Sequence, residues 1–523
     1  MVLGTSARPV VDGVPAAPPS LVPDAAITAT PARPAPAEHG PGLARCRRLG
    51  LAGSLLLAMG ALSAGALPVV DPLADPLRDG TPVEHGYAVI AAYGGLTLLV
   101  VAWLALGRVV RARLATASQL VRVLLAWAAP LAVVPPLYSR DVYSYVAQGA
   151  MFLDGVDPYR HGASTYGGLL AANVSPFWRD SPAPYGPVFL ALAAAVVAVA
   201  GGKVILGVLG MRLVTVAATA AMVPLLLRLA RRYGVDGAAA VWLGVLNPLV
   251  LAHFVSGAHN DALIVVLLLG GMLLASGRRP LLAAFVVAVA VLLKASAVVA
   301  LPFLVPAARR RFGGRRPLLR AAIAAGLVAA VTMTAITSLM DAWYGWVAAL
   351  GDTARVRNGL SLTTDLGVAV DRLLQAVGWQ VDVDPVAVAR ALGLAAAAVL
   401  LPLIAVRTVH RPLHGLGLAL VAVVLLGPVV HPWYLLWGVV PLAATARGRR
   451  LVWGLAVLSA GLAFYPVPSG GGLTPQLWEG LLGVLGGLLL AAVALLVGGS
   501  GSTPDTDHDH QDLPSSESAF LSS

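Results

Sequence analysis

An all-α polytopic membrane protein is the fold class this sequence predicts, and three observations predict it. Hydrophobic residues make up 58% of the chain and charged residues 12%, against about 25% charged in an average soluble domain. The mean hydropathy is +0.82. Apolar runs follow one another with short breaks from residue 49 to 498, many of them near the ~20 residues that cross a bilayer. Together these exclude a soluble globular enzyme, a disordered chain and a disulfide scaffold. The single cysteine, Cys46, excludes an intramolecular disulfide and a Cys-rich metal site. A net charge of +11 would suggest nucleic acid in a soluble protein. In a membrane protein it reads as cationic cytoplasmic loops, and no nucleic-acid partner is expected.

The elements follow in order. Residues 1–42 carry nine prolines and no hydrophobic periodicity, the composition of a disordered cytoplasmic tail. No apolar h-region stands near the start, so no cleaved signal peptide is expected. Residues 43–498 form the transmembrane domain. Its predicted spans are 49–70, 87–107, 119–137, 203–228, 236–253, 262–276, 318–340, 386–406, 413–430, 434–446, 451–466 and 475–498. Residues 499–523 form a second disordered, acidic, cytoplasmic tail. Its Asp507, His508, Asp509 and His510 have metal-ligand chemistry but no fold to hold a geometry.

Arginine placement orients the chain. Arg45, Arg47 and Arg48 precede the first span and put the N-terminus inside. Further clusters stand at Arg108/Arg111/Arg113, Arg228/Arg231/Arg232, Arg278/Arg279, Arg309–Arg311 with Arg315/Arg316, Arg407/Arg411 and Arg447/Arg449/Arg450. If all lie inside, segment 187–201 enters and returns or lies partly embedded. Segment 281–306 is then a hairpin of two short helices with Lys294 near its tip. The longer outer regions are 71–86, 138–186 and 341–385. The inner loops leave no room for a nucleotide-binding domain, and no G-x-x-x-x-G-K-[ST] loop occurs.

Four polar stretches interrupt the apolar pattern. Pro136-Leu-Tyr-Ser-Arg-Asp141-Val-Tyr143-Ser-Tyr145-Val-Ala-Gln148-Gly continues through Asp154-Gly-Val-Asp157-Pro-Tyr159-Arg160. Tyrosines can stack on a sugar's apolar face while Asp and Gln bind its hydroxyls; an aromatic belt with a helix-capping Asp is the competing reading. Asn247-Pro and His253 lead to His259-Asn260-Asp261, four polar groups at one junction of spans. A cap explains one of them, not the histidines. Lys294, one of two lysines in the chain, lies amid apolar sequence. It costs several kcal/mol there unless paired or wetted; an anionic ligand or snorkelling to the interface would relieve it. Arg212 stands at a similar depth. Gly427-Pro-Val-Val-His431-Pro-Trp433-Tyr434-Leu-Leu-Trp437 is an aromatic belt with a histidine that the belt does not explain.

These stretches together resemble the type C glycosyltransferases, most closely the actinobacterial polyprenyl-phosphate-mannose-dependent α-(1→6)-mannopyranosyltransferases. The resemblance covers roughly residues 85–470 and rests on SRDVYSYVAQG with DGVDPYR, NPLVL with SGAHNDALIV, LLKAS, and HPWYLLW. It implies a bundle of about 12–14 transmembrane helices with outer-loop amphipathic helices and short partial helices. It implies Asp141 as general base at the outer, periplasmic side of the plasma membrane. The donor implied is polyprenyl phosphomannose, and the acceptor a mannosylated glycolipid. A phosphate leaving group needs cationic stabilisation more than a proton, which Lys294 and Arg212 can supply. One base and one cation imply a single inverting displacement with no cofactor and no metal. Tyr143, Tyr145, Gln148, His259, Asn260, Asp261 and His431 complete the expected substrate site. A related enzyme using another polyprenyl-phosphate sugar, or a lipid-linked glycan transporter, is the alternative.

Overall fold

The computed structural model describes residues 41–497 apart from 72–76, 78–79, 278, 313–314, 343, 354–358, 380 and 471–476. Residues 1–40 of the first predicted tail and all of the second, with His508 and His510, lie outside the described residues; Pro41 and Gly42 already belong to the helix Pro41–Ala64. The only regular structure among the described residues is helical, with no strand.

Among the described residues five helices are long and apolar enough to cross a membrane: Pro82–Arg111, Val204–Tyr233, Pro317–Leu339, Pro385–Arg407 and Leu477–Leu496. A sixth span forms if Val250–Ser256 and Asp261–Ser276, which meet at 107°, are counted as one. The other apolar segments are shorter helices, among them Ala117–Val133, Pro187–Ala200, Pro280–Val291, Ala295–Ala308, Pro412–Leu426 and Pro432–Ala443. Length alone therefore gives fewer full spans than the 12–14 expected.

Local chemistry decides where the helices start and break. Thr81 and Glu84 form a capping box before Pro82–Arg111, and Thr116 and Gln119 form one before Ala117–Val133. The expected span 236–253 does not form as one helix. It divides into Gly237–Leu243 and the π-helical Val250–Ser256. Pro248 has no N–H to give a helix, and the Asn247 side chain bonds locally in its place. Asn247 Oδ1 accepts from Leu249 N at 3.0 Å, while Nδ2 donates to Leu243 O and Ser459 Oγ. The 434–446 segment likewise begins with the 3-10 turn Pro432–Leu435 before the helix Leu436–Ala443. Segment 187–201 is one helix of 14 residues, about 21 Å long at 1.5 Å per residue. It is too short to span a ~30 Å hydrocarbon core upright.

Small residues let the first helices pack closely. Pro41–Ala64 lies along Pro82–Arg111, and a Cβ on Gly53 would stand 2.7 Å from Gly95 O. The fold is polarised end to end. Val204–Tyr233, Asp261–Ser276 and Pro82–Arg111 all run toward arginine clusters. At that end Arg232 donates to Ser276 O, Arg447 to Tyr233 O, and Arg411 to Thr445 O at 2.7 Å. The breaks carrying Asp141, His259, Lys294 and His431 gather at the opposite, arginine-poor end. Arg140 is part of that scaffold. It donates to Leu67 O at 2.8 Å and Asn173 O at 3.1 Å and lies over the Tyr143 ring, so it is not free to hold a lipid phosphate.

Candidate active site

Asp141 opens the helix Asp141–Leu153, and its backbone N–H is held by Ser139 Oγ at 3.0 Å. Its side chain is 19% exposed. A carboxylate in a first helical turn faces the positive end of the helix dipole. Tyr145 and Gln148 follow on the same face, one and two turns on, both buried. Tyr145 meets Tyr185 and Phe189 edge-on at 5.4 and 5.0 Å.

The bend at residues 257–260 supplies the second group of residues. Ala258 adopts φ +54°, a left-handed conformation that costs a non-glycine residue on the order of 1–3 kcal/mol. That turn directs His259 back toward Asp141. His259 Nδ1 lies 2.9 Å from His253 O. A carbonyl can only accept, which assigns the ring proton to Nδ1 and leaves Nε2 as an acceptor. Nε2 stands 3.8 Å from Asp141 Oδ2. Either acceptor can take the proton of a hydroxyl set beside that gap. Trp433 is flanked by the His259 ring at 3.9 Å and the His431 ring, stacked at 4.5 Å. His431 stands in the loop after Pro412–Leu426, outside the spans. Desolvation holds its imidazole at about 4 against the pull of the Asp141 charge, so it is neutral at pH 7.

Lys294 supplies the cation. It sits in the break between Pro280–Val291 and the 3-10 turn Ala295–Ala300. Its Nζ is 2.8 Å from Asp261 Oδ1, and the same oxygen accepts from Trp437 Nε1 at 2.6 Å. The lysine expected to be satisfied by a ligand or by snorkelling therefore has a protein carboxylate as partner. Tyr434, Trp437 and Tyr185 rings lie 4.6, 5.3 and 5.9 Å from Nζ, a cation–π box. His259 faces Asp141, Trp433 lies between the His259 and His431 rings, and Asp261 joins Lys294 to Trp437, which brings the four stretches around one site.

Gly186 fixes the Lys294 break. Its N–H donates to Leu293 O at 3.3 Å, and Val188 N–H donates to Leu292 O at 3.2 Å. A Cβ on Gly186 would stand 2.1 Å from Leu292 O. Gly186→Ala is expected to fold but to displace Lys294 by about 1 Å, and a shift of that size costs roughly 100-fold in rate. Sugar-transfer rates of purified variant and parent, compared at equal folded protein, check this.

Several buried polar atoms here make no hydrogen bond among the described residues: Gln148 Oε1, both side-chain polar atoms of Asn260, Asp261 Oδ2 and His259 Nε2. Each such atom costs about 1–3 kcal/mol if left unpaired. Their concentration around Asp141 and Lys294 fits a hydroxyl-rich ligand. Among the described residues no three His, Cys, Asp or Glu side chains converge as metal ligands.

Two expected substrate contacts are placed differently. Tyr143 donates its hydroxyl to Ala66 O at 2.6 Å. Arg212 donates to Ala132 O, Val134 O and Ser256 O at 3.2, 2.5 and 2.8 Å, tying the end of Ala117–Val133 to the π-helix. Both groups line an apolar cavity of about 170 Å³ with Val133 to Pro136 and Leu209. Tyr143→Phe is expected to lower stability by about 1–2 kcal/mol, since Ala66 O loses its partner, with transfer activity kept within about twofold. Thermal unfolding in detergent beside a transfer assay checks it. The other loop carboxylates are occupied elsewhere. Asp154 accepts from Tyr166 OH at 2.6 Å, and Asp157 pairs with Arg160 at 3.3 Å. Tyr185 carried no signal in sequence beyond a proline-flanked tyrosine; Trp437 read as membrane belt.

A carboxylate beside an accepting imidazole and a cation boxed by aromatic rings thus lie together in a bundle of apolar helices. Residues 47–310 match the family model described as alpha-(1->6)-mannopyranosyltransferase, N-terminal domain, and residues 363–496 match the MptB C-terminal domain. The chain is 34% identical over 435 residues to alpha-(1->6)-mannopyranosyltransferase A of Mycobacterium tuberculosis (strain ATCC 25618 / H37Rv), covering 81% of this chain and 84% of that one. It is 32% identical over 461 residues to alpha-(1->6)-mannopyranosyltransferase B of Corynebacterium glutamicum, covering 81% and 77%. The chain belongs to the α-(1→6)-mannopyranosyltransferase family and is a mannosyltransferase.

Proposed function

We propose that this protein moves mannose from polyprenyl phosphomannose to an α-1,6-linked mannan on a glycolipid, by inverting displacement at the outer face of the plasma membrane. The observation that carries the reading is the pairing of Asp141 with His259 at 3.8 Å in one cluster with the Lys294–Asp261 pair at 2.8 Å. The acceptor hydroxyl docks beside the Asp141–His259 pair, within hydrogen-bond reach of Asp141. Its oxygen forms the new bond to C1 of mannose, and its proton passes to Asp141. The C1–oxygen bond to phosphate breaks, and the polyprenyl phosphate keeps the electron pair. Lys294 stabilises that developing charge, held in place by its aromatic box. Because the phosphate shares the ammonium with Asp261, the cation is positioned before donor arrives. Tyr145 and Gln148 hold the acceptor sugar, His431 with Trp433 the transferred one, and Asn260 the hydroxyls between them. Arg212 and Tyr143 keep the surrounding backbone in place.

The orientation rests on the arginine-rich end facing the cytoplasm. The test is transfer in membranes. Radiolabelled polyprenyl phosphomannose with a short mannan acceptor should yield an extended α-1,6 product. Labelled nucleotide-activated mannose should yield none once synthesis of the lipid-linked donor is blocked. Direct use of the nucleotide sugar, or movement of label across the bilayer without a larger glycolipid, would overturn the reading.

A further inference from the structure

At the arginine-rich end, across the protein from the proposed catalytic site, a cavity of about 1050 Å³ opens between helix ends, at the upper limit of small-ligand sites. Among the described residues Arg232, Arg309, Arg311 and His410 line it beside Pro306 and Pro412, and no carboxylate does. Asp236 is the single acid in the loops at this end, 112–116, 234–236, 277–279, 309–316, 408–411 and 444–448. It is spent capping the helix Gly237–Leu243 through Ala238 N and Ala239 N.

The arginines here divide into two kinds. Arg232, Arg411 and Arg447 donate to Ser276, Thr445 and Tyr233 carbonyls, neutralising the negative ends of helices. The guanidinium groups of Arg309 and Arg311 make no hydrogen bond or ion pair among the described residues. They stand on the turn after Leu301–Ala308, facing the cavity. Two uncommitted guanidiniums, a third arginine and a histidine around one opening present a geometry for phosphate oxygens, which guanidinium binds in bidentate fashion. The cavity lies where membrane-crossing helices end, and its Pro306, Ala307 and Pro412 wall is apolar.

We infer that this cavity is an anion site distinct from the transfer site and that it takes the phosphate headgroup of an anionic membrane lipid. The apolar wall and the position at the helix ends favour a lipid over a soluble phosphate. The site does not depend on which sugar the enzyme transfers.

The test uses the full chain purified in zwitterionic detergent, with bound lipid read by native mass spectrometry. Phosphatidylglycerol should be retained over phosphatidylcholine. Arg309→Gln with Arg311→Gln should weaken its retention on the order of 30-fold, the loss expected for two interfacial basic residues. The matched Lys pair, which keeps the charge, should retain most of it, and both variants should elute monodisperse. Inorganic phosphate at millimolar concentration should fail to displace the lipid. Displacement by it would overturn the lipid source in favour of a soluble phosphate. Equal retention of phosphatidylglycerol by parent and Gln pair, or equal retention of the two lipids by the parent, would overturn the site itself.

Discussion

Asp141→Asn is expected to reduce mannose transfer by roughly 10³-fold, within the 10²–10⁴ range of general-base contributions, while donor binding is kept. The amide preserves the shape at the start of the helix Asp141–Leu153 and leaves the Ser139 bond to the backbone N–H untouched. It removes the one group opposite His259 Nε2 that can take a proton as a carboxylate. His259 does not substitute, because its ring is fully buried against Trp433, where taking up a positive charge is costly. Asp141→Glu should recover little, since one methylene moves the carboxylate by about an ångström within a 3.8 Å gap. Asp154→Asn and Asp157→Asn are the controls and should stay within a few-fold of parent, because Tyr166 and Arg160 occupy those side chains. The measurement is initial rate with labelled lipid-linked mannose for each variant, with donor affinity measured separately. Normal turnover by the Asp141 variant with a dead Asp154 or Asp157 variant would move the base further along the loop.

How much of this was legible in the sequence depends on what each residue answers to. The helical membrane class follows from composition, since nothing but burial in lipid tolerates so few charges. Helix limits at Thr81 and Thr116 follow from local capping chemistry. The short and bent segments do not follow from hydropathy. The 236–253 run is apolar enough for a span, yet it breaks at Asn247-Pro248, and beyond it the left-handed Ala258 bends the chain again. The chemistry-bearing residues showed themselves by incongruity: two aspartates, three histidines and a lysine where apolar side chains are the rule. Their pairings did not. No local pattern connects Lys294 to Asp261, or Trp437 to the same carboxylate oxygen, because those contacts join segments that only the tertiary packing brings together. Tyr143 and Arg212 were equally conspicuous as polar residues, and the carbonyls of Ala66, Ala132, Val134 and Ser256 absorb them. A buried polar residue marks a need for a partner, and sequence cannot tell a ligand from a backbone oxygen.

Lys294→Met is expected to do two separable things. Asp261 is fully buried, and with Lys294 gone its Oδ1 keeps only the Trp437 N–H while Oδ2 has no partner. Breaking a buried pair by removing one member costs about 3–5 kcal/mol, so the variant should unfold at a clearly lower temperature. Transfer should also fall, by about 10²–10³-fold, the equivalent of the roughly 2.7–4 kcal/mol that one oxyanion donor supplies in the transition state. The double variant Lys294→Met with Asp261→Leu separates the two effects. Replacing a whole ion pair by apolar side chains is often neutral for stability, so thermal stability should return toward that of the parent. Transfer should not return, because no cation faces the departing phosphate. Lys294→Arg should keep the pair and part of the rate, since a planar fork fits the Tyr434–Trp437–Tyr185 box less well than a compact ammonium. Unfolding temperatures and donor-saturated rates of the four proteins decide the matter. If the double variant regains both stability and transfer, Lys294 serves only to neutralise Asp261, and the cation for the leaving group lies elsewhere in the site.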